Sequence, residues 1–222
     1  MRCTQKRPAK RDGKKTERGD QTGVIVKRML LPMCALLAFA PASYAACTTN
    51  IPHFSSKRFV DNGDGTVTDT SLKLMWMRCE LGALWDTTKK SCVFSANDHP
   101  RLRLSWQGAL KETQKFNAAG GFVAHADWRM PNIKELGNLI DYSCLNGDQV
   151  GIDPSVFPLA AADVWSNTPG AAARSNGAKP PVYFNTAWMV YFNQGKLLDE
   201  PIDDPDPKNA SLHYVRLVRD VN

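Results

Sequence analysis

Four cysteines, Cys47, Cys79, Cys92 and Cys144, follow a short apolar run near the start of this 222-residue chain. An even set of thiols delivered to an oxidising compartment closes as disulfides, and any fold must then satisfy those closures. Four cysteines allow three pairings. Cys79 and Cys92 bound a short loop, which favours Cys79–Cys92 together with Cys47–Cys144. The second bridge would tie the start of the exported chain to the region after residue 140. Zinc is the competing use, but there is no Cys-x-x-Cys pair and no histidine close by.

The export argument rests on the leader. Lys27-Arg28 form a basic n-region, Met29 to Ala40 is a short apolar run, and Pro41 breaks it. Ser43-Tyr44-Ala45 sets small residues where a signal peptidase reads, which predicts cleavage after Ala45 and a single domain over 46–222. The run is too short and too interrupted by Pro32 to suggest a membrane span. Tyr44 argues against a lipidated Cys47. Residues 1–26 are polar, resemble no folded element, and make an unusually long n-region. The start of translation is therefore expected downstream, at Val24, Val26 or Met29.

The net charge of +6 would suggest a nucleic-acid partner if it were spread over the fold. It is not. Residues 1–45 carry 10 Lys and Arg against 3 Asp and Glu, and the rest of the chain carries 18 against 19. The basic excess belongs to the leader, so no nucleic-acid partner is expected.

Asp127-Trp128-Arg129-Met130-Pro131-Asn132-Ile133-Lys134-Glu135-Leu136 reads as a loop that stops at Pro131 and enters a helix. Asn132 and Glu135 have capping-box spacing, and Ile133, Leu136 and Ile140 recur on one helical face. Trp128 between Asp127 and Arg129 suggests a buried anchor with a charged, paired rim, so the stretch is read as scaffold rather than as a catalytic site.

The remainder predicts short elements. Phe59 to Asp69 is a hairpin around Asn62-Gly63-Asp64-Gly65. A calcium loop starting at Asp61 would need oxygen ligands where Gly63 and Gly65 stand. Leu74 to Met77 is a strand carrying Trp76, and the Cys79–Cys92 segment is a surface loop around Trp85. Ser105 caps a helix burying Trp106, Ala109, Leu110, Thr113 and Phe116, which ends at Gly120-Gly121. Strands follow at Val164-Trp165-Ser166, at Val182 to Phe184 and at Ala187 to Phe192, the last including Trp188. Asn167 to Pro181 and the acidic Asp199 to Asn209 read as loops. His213 to Arg219 is a closing strand with Val215, Leu217 and Arg219 on one face. The sum is an α+β domain in which the tryptophans are core posts.

Taken in order, several motifs resemble one bacterial family. They are Phe59-x-Asp61-Asn62-Gly63-Asp64-Gly65-Thr66-Val67-x-Asp69, Leu74-Met75-Trp76, Asp127-Trp128-Arg129-Met130-Pro131 with Lys134-Glu135-Leu136, Phe157-Pro158, Trp165-Ser166, Ala187-Trp188-x-Val190-x-Phe192-x-x-Gly195, and Tyr214 to Arg219. The chain is similar to the family named for the C-terminal domain of the Legionella collagen-like adhesin. The resemblance implies a C-type-lectin-like fold with two helices, small antiparallel sheets and long ligand-presenting loops. It also implies links to sulfated glycosaminoglycans and to trimers, hence a homo-oligomer. Where the family reads Thr-Gly before Leu-Met-Trp, this chain has Leu72-Lys73.

The expected function is an exported, non-catalytic binding module of the bacterial cell envelope, periplasmic or extracellular. Its partner would be a glycan or an envelope or host surface protein. Its ligand-loop candidates are Asp199, Glu200, Asp203, Asp204 and Asp206. These acids would repel sulfate unless a cation intervened. No cofactor is expected, with calcium in that loop as the alternative; Glu200-Pro201 is only a faint likeness to a calcium-lectin motif, because Ile202 replaces its Asn. The competing readings are an enzyme like the formylglycine-generating ones, which use cysteines, and an envelope assembly component without a soluble ligand. His53, His99, His125 and His213 are scattered, and no nucleophile–base pair stands at readable spacing. N-terminal sequencing should find Ala46 first in the exported protein and a precursor starting near Val24 to Met29; a precursor beginning at Met1 would refute the downstream start.

Overall fold

In a computed structural model of the chain, the Asn-Gly and Asp-Gly pairs fold strand β1 (Phe59–Asp61) back against β2 (Thr66–Asp69). The model describes residues 47, 57–94, 101–145, 150–170, 174–175, 183–202 and 211–221, all within the unit Ala42–Asn222. The leader and its start, residues 1–45, lie outside the described residues. At the turn the carboxylate of Asp61 accepts from Gly63 N at 2.8 Å, and that of Asp64 accepts from Thr66 N at 2.9 Å. Gly65 has φ +95°, and a Cβ there would stand 2.6 Å from the Trp85 ring, so both backbone and space demand glycine.

β2 continues through a turn into β3 (Leu74–Met77). Lys73 makes that turn with φ 57°, so the left-handed corner persists although the chain lacks glycine there. Asp69, fully buried, holds the corner by accepting from Ser71 N and Leu72 N while pairing with Arg58 at 2.6 Å. The segment bounded by Cys79 and Cys92 is a small hairpin, β4 (Leu84–Asp86) with β5 (Ser91–Val93), rather than a plain loop.

Helix α1 (Trp106–Ala118) starts where Ser105 accepts from Gly108 N, and it buries Ala109 and Thr113. Asn132 and Glu135 form the full capping box of α2 (Ile133–Gly137). That helix is shorter than its apolar periodicity implies. Leu139 and Ile140 are buried from the turns that follow, which bond back to Leu136 and Gly137.

Strand β6 runs from Asp163 to Pro169, beyond the expected Ser166, with an irregular register after Trp165. The start of the expected Asn167 loop is thus strand, and much of the remainder lies outside the described residues; β7 (Arg174–Ser175) pairs with β8 (Tyr183–Phe184). β9 (Thr186–Tyr191) pairs with β6 on one side and with β10 (Lys196–Pro201) on the other. Asp199 and Glu200 therefore sit on a strand, not in a loop, opposite Trp188 and Ala187. Cross-strand pairing of Leu198 with Met189 outweighs the loop-like acids and proline that follow. Asp203, Asp204 and Asp206 lie outside the described residues.

The β10-β9-β6 sheet is packed on both faces. Val164 and Val190 join Leu136, Ile140 and Phe192 on one side, and Trp165, Ala187 and Met189 join Ala109, Trp128 and Met130 on the other. The second sheet has the order β1-β2-β3-β11, with β11 (Val218–Asp220). The expected strand from His213 is confined to those three residues, and alternation fails because Val215, Arg216, Leu217 and Val218 are all buried. The segment passes between the two sheets, so both of its faces are covered. On the way, Trp165 N donates to Tyr214 O, Leu81 N to Val215 O, and Met77 N to Leu217 O.

Arg216 is the polar centre of that passage. Its guanidinium donates to the carbonyls of Met77 and Arg78, at 2.9 and 2.6 Å, and pairs with the buried Glu80 carboxylate. Glu80 in turn accepts from Ala161 N at 2.9 Å. Burial lowers the pKa of Arg216 from its ordinary value, and Glu80 opposes that shift. Both expected disulfides form, Cys79–Cys92 across 13 residues and Cys47–Cys144 across 97. Arg216→Leu leaves the buried Glu80 carboxylate without its counter-charge and two carbonyls without the guanidinium donor, and is expected to cost about 3–5 kcal/mol in urea unfolding. A loss under 1 kcal/mol would show that the pair is dispensable.

Candidate functional site

Cross-strand neighbours on a sheet share a face, and the register across β10, β9 and β6 places Glu200, Leu198, Met189, Tyr191 and Asp163 on one surface. That surface forms the floor of a cleft of about 390 Å³, walled by Arg103, Ala162 and His213. The polar groups gather at the two ends. Glu200 stands opposite Ala187, and the Asp163–Tyr191–Lys196 row crosses the sheet four residues further along β10. Met189 and Leu198 fill the middle.

His213 reaches the wall because it bridges Leu104 through paired backbone hydrogen bonds. Its ring meets Trp165 edge-on at 4.5 Å, and Trp165 Nε1 donates to Leu104 O at 2.8 Å, which fixes both rings. His213 Nδ1 lies 2.7 Å from Asp163 Oδ2, and Arg103 Nη2 donates to the same oxygen at 2.9 Å. A carboxylate only accepts, so Nδ1 carries the proton. His213 Nε2 is buried and meets no hydroxyl or thiol among the described residues. Burial by itself would raise the Asp163 pKa; the hydrogen bonds from His213 and Arg103 outweigh it and hold the carboxyl below its ordinary value. Tyr214 stacks under Arg101 and Arg103, and Arg101 also covers Phe94.

The residues singled out in the sequence fall into three places. The Asp127 to Glu135 stretch is a clamp on the end of the chain, away from this cleft's lining. Asp127 binds Arg219 through two contacts of 2.8 and 3.1 Å, and Arg219 holds its carboxyl below the ordinary value. Arg129 binds Glu135 at 2.8 and 3.0 Å and Asp220 at 3.0 Å, and Glu135 raises its pKa above the usual arginine range. Asp127 and Arg129 thus pair with strand β11 and helix α2, not with each other. Trp128 is buried between them, its backbone N–H and carbonyl both held by Asn117. Pro131 O accepts from Asn167 N at 2.7 Å. Trp76 and Trp165 are fully buried, whereas Trp188 is half-buried.

Of the two acidic candidates among the described residues, Glu200 lines the cleft and Asp199 points to the opposite sheet face by strand alternation. Sequence reasoning missed the remainder: His213, Asp163, Arg103 and Tyr191. His213 and Asp163 are 50 residues apart, and the only sequence hint was that each begins or precedes a strand.

Among known families, the model described as the Lcl C-terminal domain matches residues 65–219, and the chain belongs to that family. No curated protein and no solved structure shows significant similarity to it.

The Asp163 shift has a defined pH signature. A carboxyl held below its unfolded value stabilises the fold fully above that value, near 3.8, and loses this as pH falls through the lower folded one. Asp163→Asn is therefore expected to cost about 1–2 kcal/mol in denaturant titrations at pH 7, and clearly less near pH 2.5. An equal penalty at both values would show that the carboxylate charge does not matter.

Proposed function

As a member of the Lcl C-terminal domain family, this chain is, we propose, an exported, non-catalytic binding module of the bacterial cell envelope with an adhesion-type role. It would recognise a glycan or a surface protein on a C-type-lectin-like scaffold, through the β10-β9-β6 face and the loops beside it. Family membership carries the reading, because the family is adhesin-related. The cleft adds a location: an apolar floor between charged ends, which suits binding and orientation of a small polar ligand.

Two features support export. All four cysteines from Cys47 onward are bridged, as an oxidising compartment favours. No helix among the described residues is long and apolar enough to cross a membrane. The signal peptide ending at Ala45, secretion and self-association belong to the same proposal.

The enzyme reading is weakened by those bridges, since a cysteine-based mechanism needs a reducible or free thiol. The Asp163–His213 couple resembles part of an acid–base relay, but His213 Nε2 has no nucleophile to activate among the described residues. Calcium at the acidic segment stays with the proposal as an accessory. In the hairpin the Asp61 and Asp64 carboxylates are committed to turn bonds and to Arg78.

A glycan panel that includes sulfated glycosaminoglycans, run with calcium and then with chelator, tests the reading. Binding to at least one glycan, weakened at least tenfold by Leu198→Trp in the cleft, is expected. Binding lost on chelation would assign calcium a role. No glycan bound, with a fixed envelope protein co-purifying, would replace this reading with the assembly-component one.

A further inference from the structure

Among the described residues, Glu200 is the charged group in the cleft that makes no ion pair. It is half-buried on β10, and among the described residues it makes no ion pair or side-chain hydrogen bond. Its cationic neighbours are engaged elsewhere: Arg103 holds Asp163, and Lys196 donates to Gln194 at 2.8 Å. A carboxylate that is still reached by solvent at the rim of a cleft and has no partner among the described residues is available to a cationic donor from outside.

The other end of the cleft constrains what carries that cation. Arg103 keeps about half of its side chain exposed and has N–H groups to spare beyond the one on Asp163. Those can only donate. A bare lysine side chain would bring donors alone and leave the spare N–H groups of Arg103 without an acceptor. An amino sugar brings an ammonium for Glu200, ring and hydroxyl oxygens for Arg103, and an apolar ring face for the half-buried Leu198 and Tyr191. The two polar ends are offset by four strand residues and two strand spacings, roughly 16 Å between backbones, a span that suits two linked rings better than one.

We infer that this cleft binds a non-sulfated amino sugar, with the sugar ammonium on Glu200 and hydroxyl oxygens on Arg103. The inference rests on the binding-module reading and narrows it. It runs against a polyanionic ligand at this site, because Asp163 already neutralises Arg103 and Glu200 leaves the cleft with surplus negative charge.

Calorimetric titration of the full chain tests it with four probes: a glucosamine disaccharide, its N-acetylated form, a heparin disaccharide and a lysine-rich peptide. The glucosamine disaccharide should bind, and N-acetylation should weaken it at least tenfold by removing the charge. Glu200→Gln should abolish that preference, and Leu198→Trp should block the cleft, each with an unchanged circular dichroism spectrum. A preference that survives Glu200→Gln, tighter binding of the peptide, or equal binding of both sugar forms would overturn the inference. Heparin binding that ignores both substitutions would overturn it while leaving the binding module standing. Silence from every sugar here and on the wider panel would overturn both.

Discussion

Everything in this fold closes around Arg216 and Glu80. The pair is buried where burial of charge is most expensive, and four hydrogen bonds offset part of that cost: two to backbone carbonyls, one within the pair and one from a backbone N–H, while Arg216 Nε and Glu80 Oε2 are buried without a partner among the described residues. Those partners come from the end of β3, from the segment after Phe157, and from the chain's last strand region. The guanidinium plane also lies 4.7 Å from the Phe157 ring, so the same residue serves the apolar core. An apolar substitute would leave the carbonyls of Met77 and Arg78 unsatisfied, which explains how a polar group can occupy the centre of a core.

Around that centre the ion pairs work as clamps rather than as surface decoration. Asp127 and Arg129 hold Arg219 and Asp220, Arg58 holds Asp69, and Arg78 links Asp61 to the carbonyls of Ser155 and Val156. The Asp127 and Arg129 pairs and the Arg78 bonds to Ser155 and Val156 join segments far apart in the chain, whereas Arg58–Asp69 closes the hairpin locally. The cleft differs, because there Asp163 is satisfied twice over while Glu200 on β10 makes no ion pair among the described residues.

How far the sequence could be read follows from range. Ser105, Asn132 with Glu135, and the glycines at positions 63 and 65 act on residues within four positions, so the caps and the hairpin were legible. The Cys79–Cys92 bridge was legible because a short loop closes easily. Arg216 and Glu80 are 136 residues apart, Asp127 and Arg219 are 92 apart, and nothing local marks them as partners. Glu200 was read as loop because acids and prolines follow it; its strand comes from pairing with β9, which composition cannot express. The cleft was hidden for the same reason, since Arg103, Asp163, Tyr191 and His213 meet only once the topology is built.

The place of the seam within the chain has a consequence for the order of assembly. Residues 213–220 supply the bridge to Leu104, the backbone bonds to Met77, Leu81 and Arg129, and the central guanidinium. A chain emerging from its N-terminal end can make the β1–β2 hairpin, α1 and the Cys79–Cys92 bridge from local contacts alone. It cannot close its core until those late residues arrive, because the contacts that seal it are the longest-range ones. Such a chain stays unsealed until nearly all of it has been made, and then gains its tertiary structure in one late step.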